Sequence, residues 1–188
     1  MISPELLIKA YANGLFPMAH SMTGKIEWHR PTKRAIIPLD NRFRVSKSLQ
    51  RKYRQQPFRL TINRNFPAVI KACRQLRVHE TWISEEIVES YIELNKMRYA
   101  HSFEAWLDDE LVGGLYGIAM GKAFFGESMF HTQTDASKIC LVYLVEHLRK
   151  HDFKLLDTQY INPHTAQFGA YEISDRKYME LLSVALGN

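Results

Sequence analysis

The chain has 188 residues, 46% of them hydrophobic, with 25 Lys plus Arg against 20 Asp plus Glu and a formal net charge of +5. That is enough apolar residue for one sizeable core with a small appendage, and no run approaches the roughly 20 apolar residues a bilayer-spanning helix needs. The only cysteines, Cys73 and Cys140, lie inside apolar helical patterns, where a small buried hydrophobe fits better than a disulfide partner or metal ligand, and a reducing cytoplasm is the expected compartment.

Ser3-Pro4-Glu5 reads as a helix start, with Ser as N-cap, Pro at the first position and an acid in the first turn. Leu6, Leu7, Ala10 and Tyr11 form its apolar face, and Gly14 stops it. Glu5 and Lys9 interrupt the apolar stretch and no basic lead precedes it, so a signal peptide is not expected. Leu15 to Met18 leads into a linker rich in Ser, Thr and Gly, and Trp28 stands before a basic cluster at residues 30–34. Residues 1–33 are expected to form a small N-terminal unit and residues 34–188 the main domain.

Ala35 to Leu39 reads as a strand. Ser46 then starts a helix whose exposed face carries Lys47, Arg51, Lys52 and Arg54. From Lys33 to Arg64 the many Lys and Arg residues meet a single acid, Asp40, whereas residues 80–110 are net acidic. A one-sided basic block has the form of a phosphate-backbone footprint, and an ordinary solvated helix face explains it equally well. Phe58 to Ile62 alternates as a strand, and Phe66 to Leu76 reads as a helix with Val69, Ile70 and Cys73 inward. Ser84-Glu85-Glu86 opens the next helix, through Leu94. Trp82, just before it, is either a hydrophobic staple or a stacking platform.

From Ser102 the period changes to two. FEAWL, LVGGLYGIAM and AFFGESMF read as an antiparallel meander, with Gly113 and Gly114 where a bulge or a close backbone approach is needed. Ser137 to Lys150 is a helix apolar nearly all round, hence buried. Phe153 to Gln159 follows as a strand, Asn162 to Gly169 as a short helix, and Ser174 caps a last helix through Leu186. Periodicity alone supports a mixed α/β domain. No phosphate loop, no GxGxxG and no metal-ligand spacing among the eight histidines is present, so neither a cofactor nor a metal is implied.

Two stretches concentrate polar groups among apolar ones. GKAFFGESMF, residues 121–130, leads to Glu127 and Ser128, and KLLDTQYINPHT, residues 154–165, breaks an apolar run with Asp157, Thr158 and Gln159. Strand alternation sends Asp157 and Gln159 to one face. A carboxylate beside a carboxamide at the end of a buried strand is costly unless something uses it; a strand end turning into solvent is the plainer alternative.

The strings FFGESMF, SK before an apolar helix, and LLDTQ-x-x-N-x-HTA-x-x-GA-x-EI occur in this order, preceded by AYANGLFPM, TWIS and DDELVGGLYGIA. Together they cover nearly the whole chain, which resembles the leucyl/phenylalanyl-tRNA-protein transferase family. The resemblance implies an acetyltransferase-superfamily (GNAT-like) fold, a mixed sheet with flanking helices. It implies transfer of leucine or phenylalanine, and less readily methionine, from aminoacyl-tRNA to the N-terminal Arg or Lys of a protein, marking that protein for degradation. A monomer is expected. The basic helix then reads as an RNA contact.

Carried over residue by residue, the resemblance implies a donor pocket of Leu115, Phe124, Phe125, Leu141, Leu144, Leu148 and Leu156. Gln159 is the base or an orienting group, with Asp157 assisting and helping to receive the cationic acceptor, and Glu127, beside Ser128, is the second acidic candidate. Asn162 belongs to the same motif as a substrate contact. The family's longer N-terminal segment is missing here and Met18 replaces a tryptophan, which leaves Trp82, Tyr11 and Trp28 to hold the terminal adenosine. A small-molecule N-acyltransferase with a thioester donor is the alternative on the same fold; it would show a pyrophosphate loop, which HTQTDAS, residues 131–137, does not resemble. A non-catalytic RNA-binding module is the alternative of another class, and it leaves GESMF and LDTQ without a role.

Overall fold

The structure is a computed structural model described over residues 1–20, 22–75 and 81–187. Four of its helices start where a serine side chain takes an otherwise unpaired N–H of the first turn. Ser3 caps α1 (Pro4–Ala12), Ser46 caps α2 (Lys47–Gln55), Ser84 caps α4 (Glu85–Lys96) and Ser174 caps α7 (Asp175–Leu186). Between α2 and α4 run β4 (Arg59–Ile62) and α3 (Phe66–Gln75); the expected end of α3 at Leu76 lies outside the described residues.

The main sheet has seven strands in the order β4-β5-β6-β7-β8-β3-β9. β5 (Ala100–Leu107), β6 (Glu110–Met120) and β7 (Ala123–His131) form the expected meander, and α5 (Ala136–Lys150) leads over to β8 (Leu155–Gln159). All neighbours are antiparallel except β7 and β8, which are parallel as a helical crossover requires. β3 (Lys33–Ile36) begins two residues before the expected strand. It holds the far side of β8 and pairs with β9 (Tyr171–Ser174), a four-residue edge too short and too polar to be read from periodicity.

The stretch expected to be a linker after Met18 is a hairpin, β1 (Phe16–Ala19) with β2 (Ile26–His29). Its strands are four residues long, and β1 (FPMA) is apolar throughout while β2 (IEWH) alternates only twice, so no period of two stands out. The expected N-terminal unit packs onto the rest: Ile2, Leu7, Tyr11 and Phe16 are buried in the same cluster as α3, α4 and α7. A second cluster fills the other face, where α5 is packed between the sheet and α2. Burying a Leu or Phe side chain stabilises by about 1.5–3 kcal/mol each. Two such layers on one sheet make the mixed α/β architecture that the sequence implied.

The β7/β8 pairing is brief: Ala123 faces Leu155, Phe124 faces Leu156, Phe125 faces Asp157, and there it ends. β7 continues to His131 on β6 alone, so a gap opens in the middle of the sheet. A β-bulge sits at its edge. Tyr116 pairs with Ser128 and Gly117 with Gly126, which leaves Glu127 as the extra residue. A Cβ at position 117 would come within 2.2 Å of the Phe125 carbonyl oxygen and 2.4 Å of the Phe124 ring, so only glycine fits opposite the bulge.

Candidate functional site

A cavity of about 690 Å³ occupies the gap where β7 and β8 part. Crevices beyond the carboxyl ends of parallel strands are common ligand sites in α/β sheets, because side chains from both strands and the crossover helix converge there. The cavity takes residues from both cores: Met18, Trp82 and Tyr116 from the α1/α3/α4 side, and Ile37, Leu115, Leu141, Leu144 and Leu156 from the α5 side. It therefore passes through the sheet. On α5, Ser137, Leu141 and Leu144 share one face, so the apolar lobe runs about 10 Å along the helix at 1.5 Å per residue. Polar groups, Glu127, Thr158, Gln159 and Asn162, gather at the strand ends.

Of the expected donor-pocket residues, Leu115, Leu141, Leu144 and Leu156 line the cavity. Phe124, Phe125 and Leu148 are buried behind it. Glu127, Ser128, Gln159, Asn162, Trp82 and Met18 also border it. The Ser128 side-chain oxygen is buried without a hydrogen-bond partner among the described residues.

The bulge aims Glu127 at the cavity, and its environment is specific. Tyr11 Oη donates to Glu127 Oε1 at 2.7 Å and accepts the single proton of Tyr91 Oη, which also stands 3.4 Å from Oε2. Gln159 Nε2 donates to the same Oε1 at 3.0 Å. Desolvation pushes the Glu127 carboxyl up to about 7; the Tyr11 hydrogen bond pulls the other way, and the Asp157 charge adds to the rise. Burial and the neighbouring Glu127 push both tyrosine hydroxyls well above the usual range, so they stay protonated donors. Tyr11 is 0% exposed: it supports Glu127 and offers no face for an adenine.

Asp157 is elsewhere. Its side chain is 0% exposed and Arg34 beside it only 1%, and Arg34 Nη2 reaches Asp157 Oδ2 at 2.7 Å. Tyr178 Oη donates to Oδ2 at 2.9 Å, and the Gln159 backbone N–H donates to Oδ1 at 2.8 Å. Arg34 itself lies over the rings of Phe16 and Tyr178 and donates to the Gly14 carbonyl. With every acceptor direction engaged, Asp157 has no free oxygen for a cationic ligand, which corrects the expectation that it meets one directly. Gln159 is the last residue of β8, paired with Ala35, and leaves the extended conformation there. Its φ is +64°, a conformation costing a non-glycine residue about 1–3 kcal/mol, and the bonds to Asp157 and Glu127 hold it there. Asp157 and Gln159 thus diverge instead of sharing a face.

The basic block divides similarly. Arg34 is buried, so it leaves the surface footprint. On α2, Lys52 donates to the Thr134 carbonyl and pairs with Asp135, tying α2 to the start of α5. Lys47, Arg51 and Arg54 are exposed at i, i+4 and i+7 and make no ion pair among the described residues, so one helix face presents three free cations. Trp28 is 37% exposed on β2, away from the cavity. Sequence reasoning passed over Tyr91, Tyr178 and Arg34. The signal available was a tyrosine hydroxyl on an apolar helix face, which needs a partner when buried.

Among the described residues no helix is long and apolar enough to cross a membrane, and no group of three or more His, Cys, Asp or Glu could hold a metal ion.

The family model described as leucyl/phenylalanyl-tRNA protein transferase matches residues 36–183, and the one for that family's N-terminal domain matches residues 1–32. A protein named leucyl/phenylalanyl-tRNA--protein transferase in Akkermansia muciniphila is 50% identical over 186 residues, 98% of this chain and 96% of that protein. One of the same name in Herpetosiphon aurantiacus is 52% identical over 185 residues, 98% and 95% of the two. Among solved structures, L-PGS from Bacillus licheniformis is similar in fold, with a TM-score of 0.52 at 10% identity over 100% of this chain and 71% of that one.

Proposed function

The chain belongs to the leucyl/phenylalanyl-tRNA protein transferase family, and from that premise we propose that its cavity moves leucine or phenylalanine from aminoacyl-tRNA to the N-terminal Arg or Lys of a protein, as a cytoplasmic monomer. The observation that carries this reading is an apolar lobe on one side of the sheet gap meeting a single half-buried carboxylate, Glu127, at the gap itself. The reaction is aminolysis of an ester. The amine lone pair forms the C–N bond, the bond from the carbonyl carbon to the ribose oxygen breaks, and the proton lost by nitrogen reaches that oxygen through water or the neighbouring hydroxyl. Since the change is downhill, positioning supplies most of what is needed.

Leu115, Leu141, Leu144 and Leu156 hold the donor side chain, with Phe124 and Leu148 as their backing. A lobe walled mainly by leucines, with the Ser137 hydroxyl engaged by His131, rejects charged and polar side chains by their desolvation cost. Gln159 has its Nε2 committed to Glu127, which leaves its Oε1 to accept an N–H from the attacking amine. A carboxamide oxygen is a very weak base, so Gln159 orients the nucleophile. Glu127 receives the acceptor's cation. Asp157, through Arg34 and the Gln159 backbone, is a positioning residue. Trp82 and Met18 border the opposite lobe, where the adenosine sits; Ser128 and Asn162 offer polar contacts at the rim.

Incubating the protein with leucyl-tRNA and an Arg-starting peptide tests the reading: the peptide is expected to gain one leucine by mass. An acyl-thioester donor is expected to give nothing. The reverse outcome would point to a small-molecule N-acyltransferase.

Two further expectations follow from the geometry. Leu144→Trp fills the lobe and should depress transfer of phenylalanine more than of leucine, because overpacking of about 1–3 kcal/mol scales with volume; equal losses would assign Leu144 to the core alone. Reversing Lys47, Arg51 and Arg54 together should weaken tRNA capture and lower the log–log salt slope by about one per lost phosphate contact, without changing which amino acid is transferred. An unchanged slope would place the RNA elsewhere.

A further inference from the structure

The gap in the sheet leaves backbone groups of β7 unpaired, and their direction can be read from the ladder. The Thr132 N–H donates to the Val112 carbonyl at 2.8 Å, so residues 112 and 132 face each other as a hydrogen-bonded pair. In an antiparallel ladder bonded and non-bonded pairs alternate. With Gly113 facing His131, Gly114 facing Phe130, Leu115 facing Met129 and Tyr116 facing Ser128, Phe130 and Ser128 direct their N–H and C=O groups to β6. Met129 and His131 direct theirs the other way, to the side where β8 would lie had its pairing not ended at Asp157.

Both residues border the cavity. Among the described residues no hydrogen bond reaches the backbone of Met129 or His131 on that side. Met129 is partly buried and His131 exposed; a row of unpaired main-chain groups on an open strand edge is a template for another chain, and their spacing defines what that chain is. Two residues of a strand span about 6.6–6.8 Å, which matches alternate residues of another extended chain. A nucleotide has no such repeat of donors and acceptors.

We propose that the open edge of β7 at Met129 and His131 is the docking strand for the acceptor polypeptide, whose extended N-terminal segment adds to the sheet there by main-chain hydrogen bonds. This rests on the proposed function, since it is that reading which supplies a polypeptide acceptor. Glu127 stands two residues before Met129 on the same strand, and its carboxylate complements the charge of an N-terminal Arg or Lys. A chain anchored by its first residue at Glu127 and running parallel to β7 passes Met129, then His131, which is exposed, and so leaves the cavity for solvent. The donor's side chain occupies the apolar lobe beyond the gap, so the two substrates do not compete for one volume. Strand addition reads backbone and not side chains. It therefore explains how one site accepts many proteins that share only their first residue.

The test uses the intact protein, leucyl-tRNA and one Arg-starting peptide, unmodified and singly N-methylated at each backbone nitrogen from the second residue to the fifth. Only every second N–H of an added strand points at the edge. The expected result is an alternation: kcat/KM falls about 3- to 10-fold at alternate positions, the worth of one hydrogen bond, mainly through KM, and holds at the positions between. A flat series, or an equal fall at all positions, overturns the docking strand while leaving the transfer reaction standing. An unmodified peptide that takes no leucine overturns the proposed function and this inference with it.

Discussion

Glu127→Gln is expected to lower kcat/KM for an Arg-starting peptide by about 100-fold, the effect of removing one partner of a partly desolvated charge pair at 2–5 kcal/mol. The isosteric amide keeps the hydrogen bond from Tyr11 within reach, so the loss reports charge more than shape. The pH dependence gives the sign. Desolvation holds the Glu127 carboxyl at about 7, so below that pH the site is mostly neutral and the acceptor's cation goes unmatched. Transfer by the wild type should rise as pH passes through about 7, over and above the rise from deprotonating the attacking amine. In the Gln variant only the second rise should remain. Stability runs oppositely. A carboxyl raised in the folded state contributes stability that is fully present below its ordinary value and is lost as pH climbs to about 7, so the variant's melting temperature should vary less across that window. Identical pH–rate profiles for the two proteins would remove Glu127 from acceptor recognition.

Asp157→Asn should act on the fold before it acts on selectivity. It leaves the Arg34 guanidinium charged and buried between Phe16 and Tyr178, and breaking a buried pair from one side costs about 3–5 kcal/mol. At roughly 2–4 °C per kcal/mol for a chain of this size, thermal unfolding should come about 6–20 °C earlier. Transfer should fall for every acceptor alike, since what is lost is the seat of Gln159. Replacing both partners, Asp157→Asn with Arg34→Met, should restore part of the stability and show a coupling between the sites. If Asp157→Asn melts like the wild type and loses only Arg- and Lys-starting acceptors, Asp157 contacts the acceptor after all, as the sequence alone suggested.

The sequence was most legible where the pattern was long. The meander, the apolar α5 helix and the serine caps of α1, α2, α4 and α7 follow from periodicity and from the N–H groups each cap satisfies. Four-residue strands such as β1, β2 and β9 carry two alternations at most and are hidden among turn residues. The site was half legible. Glu127, Gln159 and the leucines of α5 stood out by composition and by the motifs around them. Their division of labour did not, because it depends on contacts distant in the chain. Arg34 meets Asp157 across 123 positions, and Tyr11 meets Glu127 across 116. No local pattern announces that an arginine inside a basic run is buried, or that a bulge opposite Gly117 swings one carboxylate into the cavity and leaves the other on a neighbouring strand behind it.

The most direct measurement compares two peptides that differ only in the first residue, arginine in one and its neutral isostere citrulline in the other, as acceptors of leucine from leucyl-tRNA. Efficient addition to the arginine peptide is expected, with a rate at least about 30-fold lower for citrulline from the loss of one charge pair, and near-equality of the two in Glu127→Gln. Equal addition to both peptides by the wild-type protein would contradict it.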